Sequence, residues 1–293
     1  MGLDTQGNRY RASIIIPVYR DWSNVGLLLN DLRGQARPDC QVILVNNDPA
    51  GQQAPKDLPD PGMHCQILAC SAIGSYAARN AGARAAHGEL LIFTDADCRP
   101  QPGWLDTYLK LAPHKLGLSA GPVFVDPGAT PNNWAIFDTV RGMRQDVFVR
   151  HGYAVTANLA VPRRIFEQLS GFDAKRLSGG DAEFCRRAGR AGFRLTLLPD
   201  AVVFHPARNS WEELATKARR IKGGQVTVGS TTRRIMWGLR SLMLPLREMF
   251  AYVTCSYPLH WRLIACYVRL RLWIVEIKEI VSSFLFQGMA ERR

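Results

Sequence analysis

Glu89-Leu-Leu-Ile-Phe-Thr-Asp95-Ala-Asp97-Cys98 is the stretch around which the rest of the chain is organised. Leu90 to Phe93 is a continuous apolar run, the pattern of a strand buried on both faces. It ends in two carboxylates. Side chains alternate along an extended backbone, so Asp95 and Asp97 point the same way. Two hard oxygen ligands at the carboxyl end of a parallel strand suit Mg²⁺ or Mn²⁺. That edge is also where open α/β sheets bind ligands. Without the buried strand before it, Asp-Ala-Asp would read as a solvated turn.

Upstream, strand and helix alternate. Ser13 to Tyr19 reads as a β-branched strand stopped by Pro17, which cannot donate to a ladder. Asp21 to Gly34 carries apolar residues at 25, 28, 29 and 32, a helical spacing. Gln41 to Val45 is a second strand, closed by the turn Asn46-Asn47-Asp48-Pro49. A polar, Pro-rich loop leads to a short third strand at Cys65 to Ala69. A helix is predicted from Ser75 to Ala86, with Gly88 ending it. The alternation implies an α/β fold with a doubly wound parallel sheet.

Downstream, a helix is expected from Trp104 to Leu111, a strand from Leu118 to Val125 and a helix from Ala135 to Val149 weakened by Gly142. Val155 to Pro162 reads as a strand and Arg163 to Leu169 as a helix. Gly179-Gly180-Asp181-Ala-Glu183 opens another helix, its glycines leaving room for a ligand and Asp181 suited to the cap. Phe193 to Leu198 and Ala201 to His205 are the last strands. Beyond them Trp211 to Lys222 is a basic helix, broken by Gly223-Gly224. From Ile235 to Phe286 apolar residues at helical spacing alternate with arginines, the pattern of amphipathic helices with a basic face.

Composition narrows the class. The chain has 293 residues, 47% of them hydrophobic, enough for a sizeable core. Of its net charge of +12, the segment from Trp211 onward contributes 14 Lys/Arg against 6 Glu, or +8. Such a segment suits anionic lipid, nucleic acid or a phosphorylated substrate. Seven cysteines without a Cys-x-x-Cys pair argue against a disulfide framework or zinc site and fit a reducing cytosol. The opening MGLDTQGNRYRAS has no apolar core, so no signal peptide is expected there. The longest uncharged apolar run, Met249 to Trp261, is 13 residues, too short to span a bilayer.

Four blocks together resemble the family 2 glycosyltransferases. They are Ile14-Ile-Ile-Pro-Val-Tyr19; Gly74…Ala78-Arg79-Asn80-x-Gly82…Gly88-Glu89; Asp95-x-Asp97; and Gly180-Asp181-x-Glu183-Phe-Cys-x-Arg187. Ala157-Asn158-Leu-Ala-Val-Pro ahead of Gly171-Phe-Asp173 also fits. The resemblance covers residues 12–206 and implies a Rossmann-like GT-A catalytic domain over 1–210, with a basic helical extension over 211–293. It further implies inverting transfer from a nucleotide diphosphosugar, most simply a UDP-sugar, with Mn²⁺ or Mg²⁺ as cofactor. Pro17 and Tyr19 would lie against the base, and Asn47 stands where the family often has an aspartate that receives the uracil imide proton. Its amide oxygen can still accept. Arg79 would sit near base or diphosphate, Asp95 would hold ribose or metal, Asp97 the metal, and His205 would complete the metal shell. Asp181 matches the general base; many relatives carry two adjacent acids there, but this chain has Gly180. Asn158 and Trp104 are candidates for contact with the sugars.

Each of these residues also has a purely structural reading: Asp181 as a cap, Arg79 as a salt-bridge residue, Trp104 as core, Asn158 as a turn residue. The expected acceptor is a glycan or lipid-linked hydroxyl in bacterial surface polysaccharide synthesis. The expected location is cytoplasmic, peripheral at the inner face of the plasma membrane, the basic tail meeting an anionic surface. A sugar-phosphate nucleotidyltransferase is the alternative, but Pro17 to Asp21 has no glycine where such enzymes carry a Gly-rich loop. A nucleic-acid partner is not expected, because the basic residues are interleaved with large apolar ones.

Overall fold

The computed structural model describes residues 10–110, 117–227 and 231–286. The opening nine residues, part of the stretch read above as lacking a leader, and Leu111 at the end of the predicted third helix lie outside them. β1 (Ala12–Val18), α1 (Trp22–Arg33), β2 (Cys40–Asn46), β3 (His64–Ala69), α2 (Ser75–Ala85) and β4 (Leu90–Thr94) form the expected alternation. There follow β5 (Arg99–Pro100), α3 (Trp104–Leu109), β6 (Leu118–Ala120), β7 (Val123–Asp126), α4 (Asn133–Arg141), α5 (Gln145–Arg150) and β8 (Asn158–Pro162). Then come α6 (Arg163–Gln168), α7 (Gly180–Arg190), β9 (Leu195–Leu197) and β10 (Val203–Pro206). Four helices close the chain: α8 (Trp211–Thr227), α9 (Thr231–Leu242), α10 (Leu246–Val253) and α11 (Leu259–Phe286).

The main sheet has the order β3-β2-β1-β4-β8-β6-β9, and a second, three-stranded sheet runs β5-β10-β7. β1 is parallel to both β2 and β4. β8 is antiparallel to β4 and β6, so the sheet is mixed on that side. From β1 the chain moves outward through β2 and β3, then returns to β4 on β1's other flank. The switch opens a crevice at the carboxyl ends of β1 and β4, which is where Asp95 and Asp97 stand. Every residue of β2 and β4 is buried, and their central stretches, Val42 to Val45 and Leu90 to Phe93, are correspondingly unbroken apolar runs.

Four local expectations are corrected. β1 runs one residue past Pro17 to Val18. Its pairing with β4 ends at Ile15↔Phe93, so no strand lies on that flank to miss the proline's N–H. The strand expected at Leu118 to Val125 is two strands, β6 and β7, in different sheets, divided at Gly121-Pro122. The helix expected from Ala135 to Val149 is α4 and α5, because Gly142 takes φ 62° and ends the first. Gly223-Gly224 does not break α8. Each helical glycine costs about 1 kcal/mol, and buried Leu214, Ala215 and Ala218 before the pair and Val226 after it offset that.

The chain divides into two compact units. The first holds 1–124, 144–176 and 180–205; the second holds 125–143, 177–179 and 206–293. Where the sequence suggested a single cut at 210/211, the second unit also takes in α4. Its core joins Ile136, Phe137 and Val140 of α4 to Leu214 and Ala218 of α8, Tyr252 of α10, and Ala265, Val268 and Leu272 of α11.

Candidate active site

The crevice gathers carboxylates from β4 and α7. Asp95 and Asp97 follow Thr94, whose position opposite Asn158 fixes the strand's end. Ligand atoms of Asp95, Asp97 and Cys98 lie within 4.8 Å of one another. Cys98 is fully buried, its thiol bonds the Ala157 carbonyl at 3.7 Å, and burial pushes its acidity well below that of an ordinary thiol. It therefore keeps its proton, and the hard donors are the two carboxylates. His205, at the end of β10, brings Nε2 to 3.2 Å from Asp97 Oδ2. Two carboxylates with an adjacent imidazole fit Mn²⁺ or Mg²⁺ in donor type. Arg79, buried on α2, forms an ion pair with Asp95 Oδ1. It is thus a charge partner of the acid cluster.

Asp181 opens α7 next to this cluster. Its Oδ1 accepts from the Ala182 N–H at 2.8 Å, and its carboxylate also accepts from the Tyr76 hydroxyl. Burial, and to a lesser extent the charge of Asp95, raise its pKa above the ordinary aspartate value; Arg79 and the hydrogen bonds offset part of this. Tyr76 was not singled out from the sequence. It sits three residues before Arg79, one turn away on the same face of α2. Its ring also explains Gly180: a Cβ there would stand 2.7–2.9 Å from three Tyr76 ring carbons. The close approach expected of a ligand at Gly180 is made by Tyr76.

At the end of β2, the Asn47 backbone N–H donates to Val18 O at 2.7 Å. Its side-chain Nδ2 donates to the carbonyls of Cys70 at 3.0 Å and Ala72 at 2.7 Å. Two carbonyl partners can be met only by the NH₂ end, so Oδ1 is the acceptor that the amide presents. Pro17 and Tyr19 lie partly exposed at the end of β1, with the Arg20 guanidinium 5.2 Å from the Tyr19 ring centre.

Asn158 and Trp104 are placed elsewhere than expected. Both are fully buried. Asn158 Oδ1 accepts from Trp104 Nε1 at 2.9 Å and from the Tyr108 hydroxyl at 2.8 Å. Its Nδ2 donates to Pro122 O at 3.0 Å and Ala201 O at 2.7 Å. That exhausts the four hydrogen bonds a carboxamide makes. Neither residue offers a surface to a sugar; the pair ties β8 to α3 and to two loops. Asn80 and Arg187, also drawn from the matching blocks, brace the Gly171-Phe172 turn: Asn80 exchanges two bonds with the Phe172 backbone, at 2.8 and 2.9 Å, and Arg187 donates to Gly171 O at 2.9 Å.

Comparison with known proteins agrees with this geometry. The sequence profile described as glycosyl transferase family 2 matches residues 13–168. Glycosyltransferase AglE of Haloferax volcanii is 30% identical over 225 residues, 74% of this chain and 73% of that one. A pre-mycofactocin glycosyltransferase of Mycobacterium tuberculosis is 28% identical over 219 residues, and the match spans only 45% of its length. Among solved structures, the mannosyltransferase PcManGT from Pyrobaculum calidifontis, in complex with GDP-Man and Mn²⁺, superposes with a TM-score of 0.59 at 16% identity. The match covers 98% of this chain and 90% of that one. S. aureus TarS 1–349, in complex with UDP-GlcNAc, gives 0.50 at 15% identity, covering 96% and 93%. The fold is GT-A, and with the matched profile spanning over half its residues the chain belongs to glycosyl transferase family 2.

Proposed function

We propose that the protein transfers a sugar from a nucleoside diphosphosugar, a UDP-sugar, to a hydroxyl of a glycan or lipid-linked acceptor, with inversion at the anomeric carbon. The observation that carries this reading is Asp181: a proton-seeking carboxylate in electrostatic reach of Asp95, beside a carboxylate pair suited to a divalent metal. Pro17 and Tyr19 offer the base a partly exposed surface, and Asn47 Oδ1 accepts the uracil imide proton. Asp97, Asp95 and His205 would hold Mn²⁺ or Mg²⁺, which supplies positive charge to the departing diphosphate. Asp181 takes the acceptor's hydroxyl proton as that oxygen attacks the anomeric carbon. The bond to the diphosphate breaks on the opposite face, and its electron pair leaves with the nucleotide. A raised pKa makes Asp181 a stronger base than an ordinary aspartate. The neighbours' GDP-Man, UDP-GlcNAc and Mn²⁺ support a nucleotide-sugar donor and a metal. The setting is assembly of bacterial surface polysaccharide at the inner face of the plasma membrane, a reading supported by the basic, apolar C-terminal third.

A thermal-shift scan with UDP, dTDP, GDP and CMP, each with and without Mn²⁺, tests this. Binding to the native state alone adds about 2.7 kcal/mol at a hundredfold excess over Kd. A metal-dependent shift with UDP, abolished in Asp97→Asn, is expected. A shift with GDP in its place would overturn the base assignment, and no shift with any nucleotide would overturn the donor reading.

A further inference from the structure

Two consecutive helices of the second unit turn apolar stripes outward. On α9, Ile235, Leu239 and Leu242 recur at i, i+4 and i+7, the spacing of a core-facing stripe. On α10, Leu246, Phe250 and Val253 repeat it. All six side chains are 48–71% exposed. Met243 and Leu244, in the turn between the helices, are exposed as well. The buried side of α9 is instead small and polar. Gly238 and Ser241 face inward; Ser241 accepts from Lys222 Nζ through its hydroxyl at 3.1 Å and from Trp273 Nε1 through its carbonyl at 3.0 Å. Of the eighteen large hydrophobic side chains exposed among the described residues, nine lie between Ile235 and Val253. Half of the exposed large hydrophobic side chains thus fall on two consecutive helices and the turn that joins them, a concentration of the kind that marks an interaction surface.

Charge says what covers it. The segment from Thr231 to Thr254 carries four arginines against the single Glu248, and Glu248 is already paired with Arg269. Arg240 and Arg247 are exposed, and Arg240 stacks over Trp237 at 5.7 Å. Apolar stripes interleaved with arginine and an aromatic suit the boundary between acyl chains and anionic headgroups. At twelve residues α9 is roughly 18 Å long, against a hydrocarbon core of about 30 Å. It can lie in that boundary but cannot cross it. We propose that the outward face of α9 and α10 seats the protein on an anionic bilayer by shallow insertion of Leu239, Leu242, Leu246 and Phe250, with Arg240 and Arg247 at the headgroups. The proposal deepens the lipid-linked acceptor reading above and rests on it for its purpose, but not for the binding itself.

Co-sedimentation of the full chain with vesicles tests it, using equimolar phosphatidylglycerol and phosphatidylcholine, and phosphatidylcholine alone. Wild type is expected to partition onto the anionic vesicles and far less onto the neutral ones. The Leu246→Ser/Phe250→Ser variant should lose at least roughly tenfold in partitioning, from the apolar area no longer inserted. Arg240→Gln/Arg247→Gln should lose roughly tenfold or more, at about 1 kcal/mol for each arginine near the surface. Both variants should keep the wild-type Tm and nucleotide shift, which separates lost insertion from lost folding. Equal partitioning of wild type and the apolar variant would overturn the proposal. So would an absence of vesicle binding together with a concentration-dependent dimer abolished by that variant, since a second copy would then cover the face. A missing nucleotide shift would fail the donor reading and leave the vesicle result standing.

Discussion

The ring of Tyr76 fills the space that a side chain at position 180 would need. Both residues flank Asp181: Tyr76 donates its hydroxyl to the Asp181 carboxylate, and Gly180 is its chain neighbour. The glycine that replaces the family's first acid thus follows from a tyrosine on α2, one turn from Arg79.

Gly180→Ala should therefore lower turnover without abolishing nucleotide binding. A Cβ 2.7–2.9 Å from ring carbons forces the ring or the start of α7 to move, and Asp181 moves with it. Misplacement of a reacting group by about 1 Å costs on the order of 10²-fold. Tyr76→Ala opens the space, so the double variant should be no slower than Tyr76→Ala alone. Steady-state release of UDP from a UDP-sugar, for all four proteins, reads this non-additivity.

Asp181→Asn should reduce transfer by about 10²–10⁴-fold, with donor affinity retained. In the wild type, the acid limb of kcat/KM should fall at a higher pH than an ordinary aspartate, near 3.9, would give. Stability should respond with the opposite sense. A carboxyl whose folded pKa is raised contributes stability below its unfolded value and loses it as pH rises through the folded one. At neutral pH the ionised Asp181 is a cost. The Asn variant's Tm should then equal or exceed wild type at pH 7, with the gap shrinking toward pH 4.

Much of this architecture is legible in the chain because the determinants are local. The apolar runs of β1, β2 and β4 announce a sheet buried on both faces, and the acids after β4 mark its ligand edge. What is not legible depends on partners far apart in sequence. Trp104 and Asn158 lie 54 residues apart, and only their meeting at 2.9 Å shows a buried hub where the motifs suggested a sugar site. Tyr76 and Gly180 meet across a gap about twice as long. Gly223-Gly224 reads as a break until the buried residues on both sides of it are seen.

His205 should matter through the metal. With Nε2 3.2 Å from Asp97 Oδ2, it either binds the ion or orients the carboxylate that does. His205→Gln is expected to weaken Mn²⁺ by about 10–100-fold, the range for loss of such a partner. The readout is the Mn²⁺ concentration giving half the UDP-induced thermal shift; an unchanged midpoint would place His205 outside the site. Asp97→Asn should abolish the metal-dependent shift altogether.

Asn158→Ala should destabilise the first unit rather than alter sugar preference. It removes the hydrogen-bond partner of the buried Trp104 N–H and a donor from the Ala201 carbonyl, while the Tyr108 hydroxyl keeps the Gly121 backbone and the Pro122 carbonyl keeps the Val203 N–H. Each stranded buried group costs about 1–3 kcal/mol, so for these two a loss of at least ~2 kcal/mol is expected in urea unfolding. A near-wild-type midpoint accompanied by a changed donor preference would restore the sugar-contact reading.

Asp138 carries the clearest pH dependence of the second unit. Its carboxylate is 3% exposed, with Arg208 Nη1 at 3.1 Å, the Arg208 N–H at 3.2 Å, and Arg141 and Lys217 each at 3.8 Å. Burial opposes its charge, but Lys217, Arg208 and Arg141 outweigh burial and hold its pKa below the ordinary aspartate range. A carboxyl lowered in the folded state contributes stability above its unfolded value, about 3.9, and loses it as pH falls toward the folded one. Asp138→Asn leaves three partly buried cations without their shared counter-charge, which costs less than the roughly 3–5 kcal/mol of a fully buried pair because water reaches Arg141 and Arg208. At pH 7 the variant should therefore melt below wild type. Between about pH 4 and pH 2 the wild type gives up this advantage, and the two melting curves should converge. Parallel curves across that range would mean that Asp138 is not the group whose ionisation holds α4 to α8.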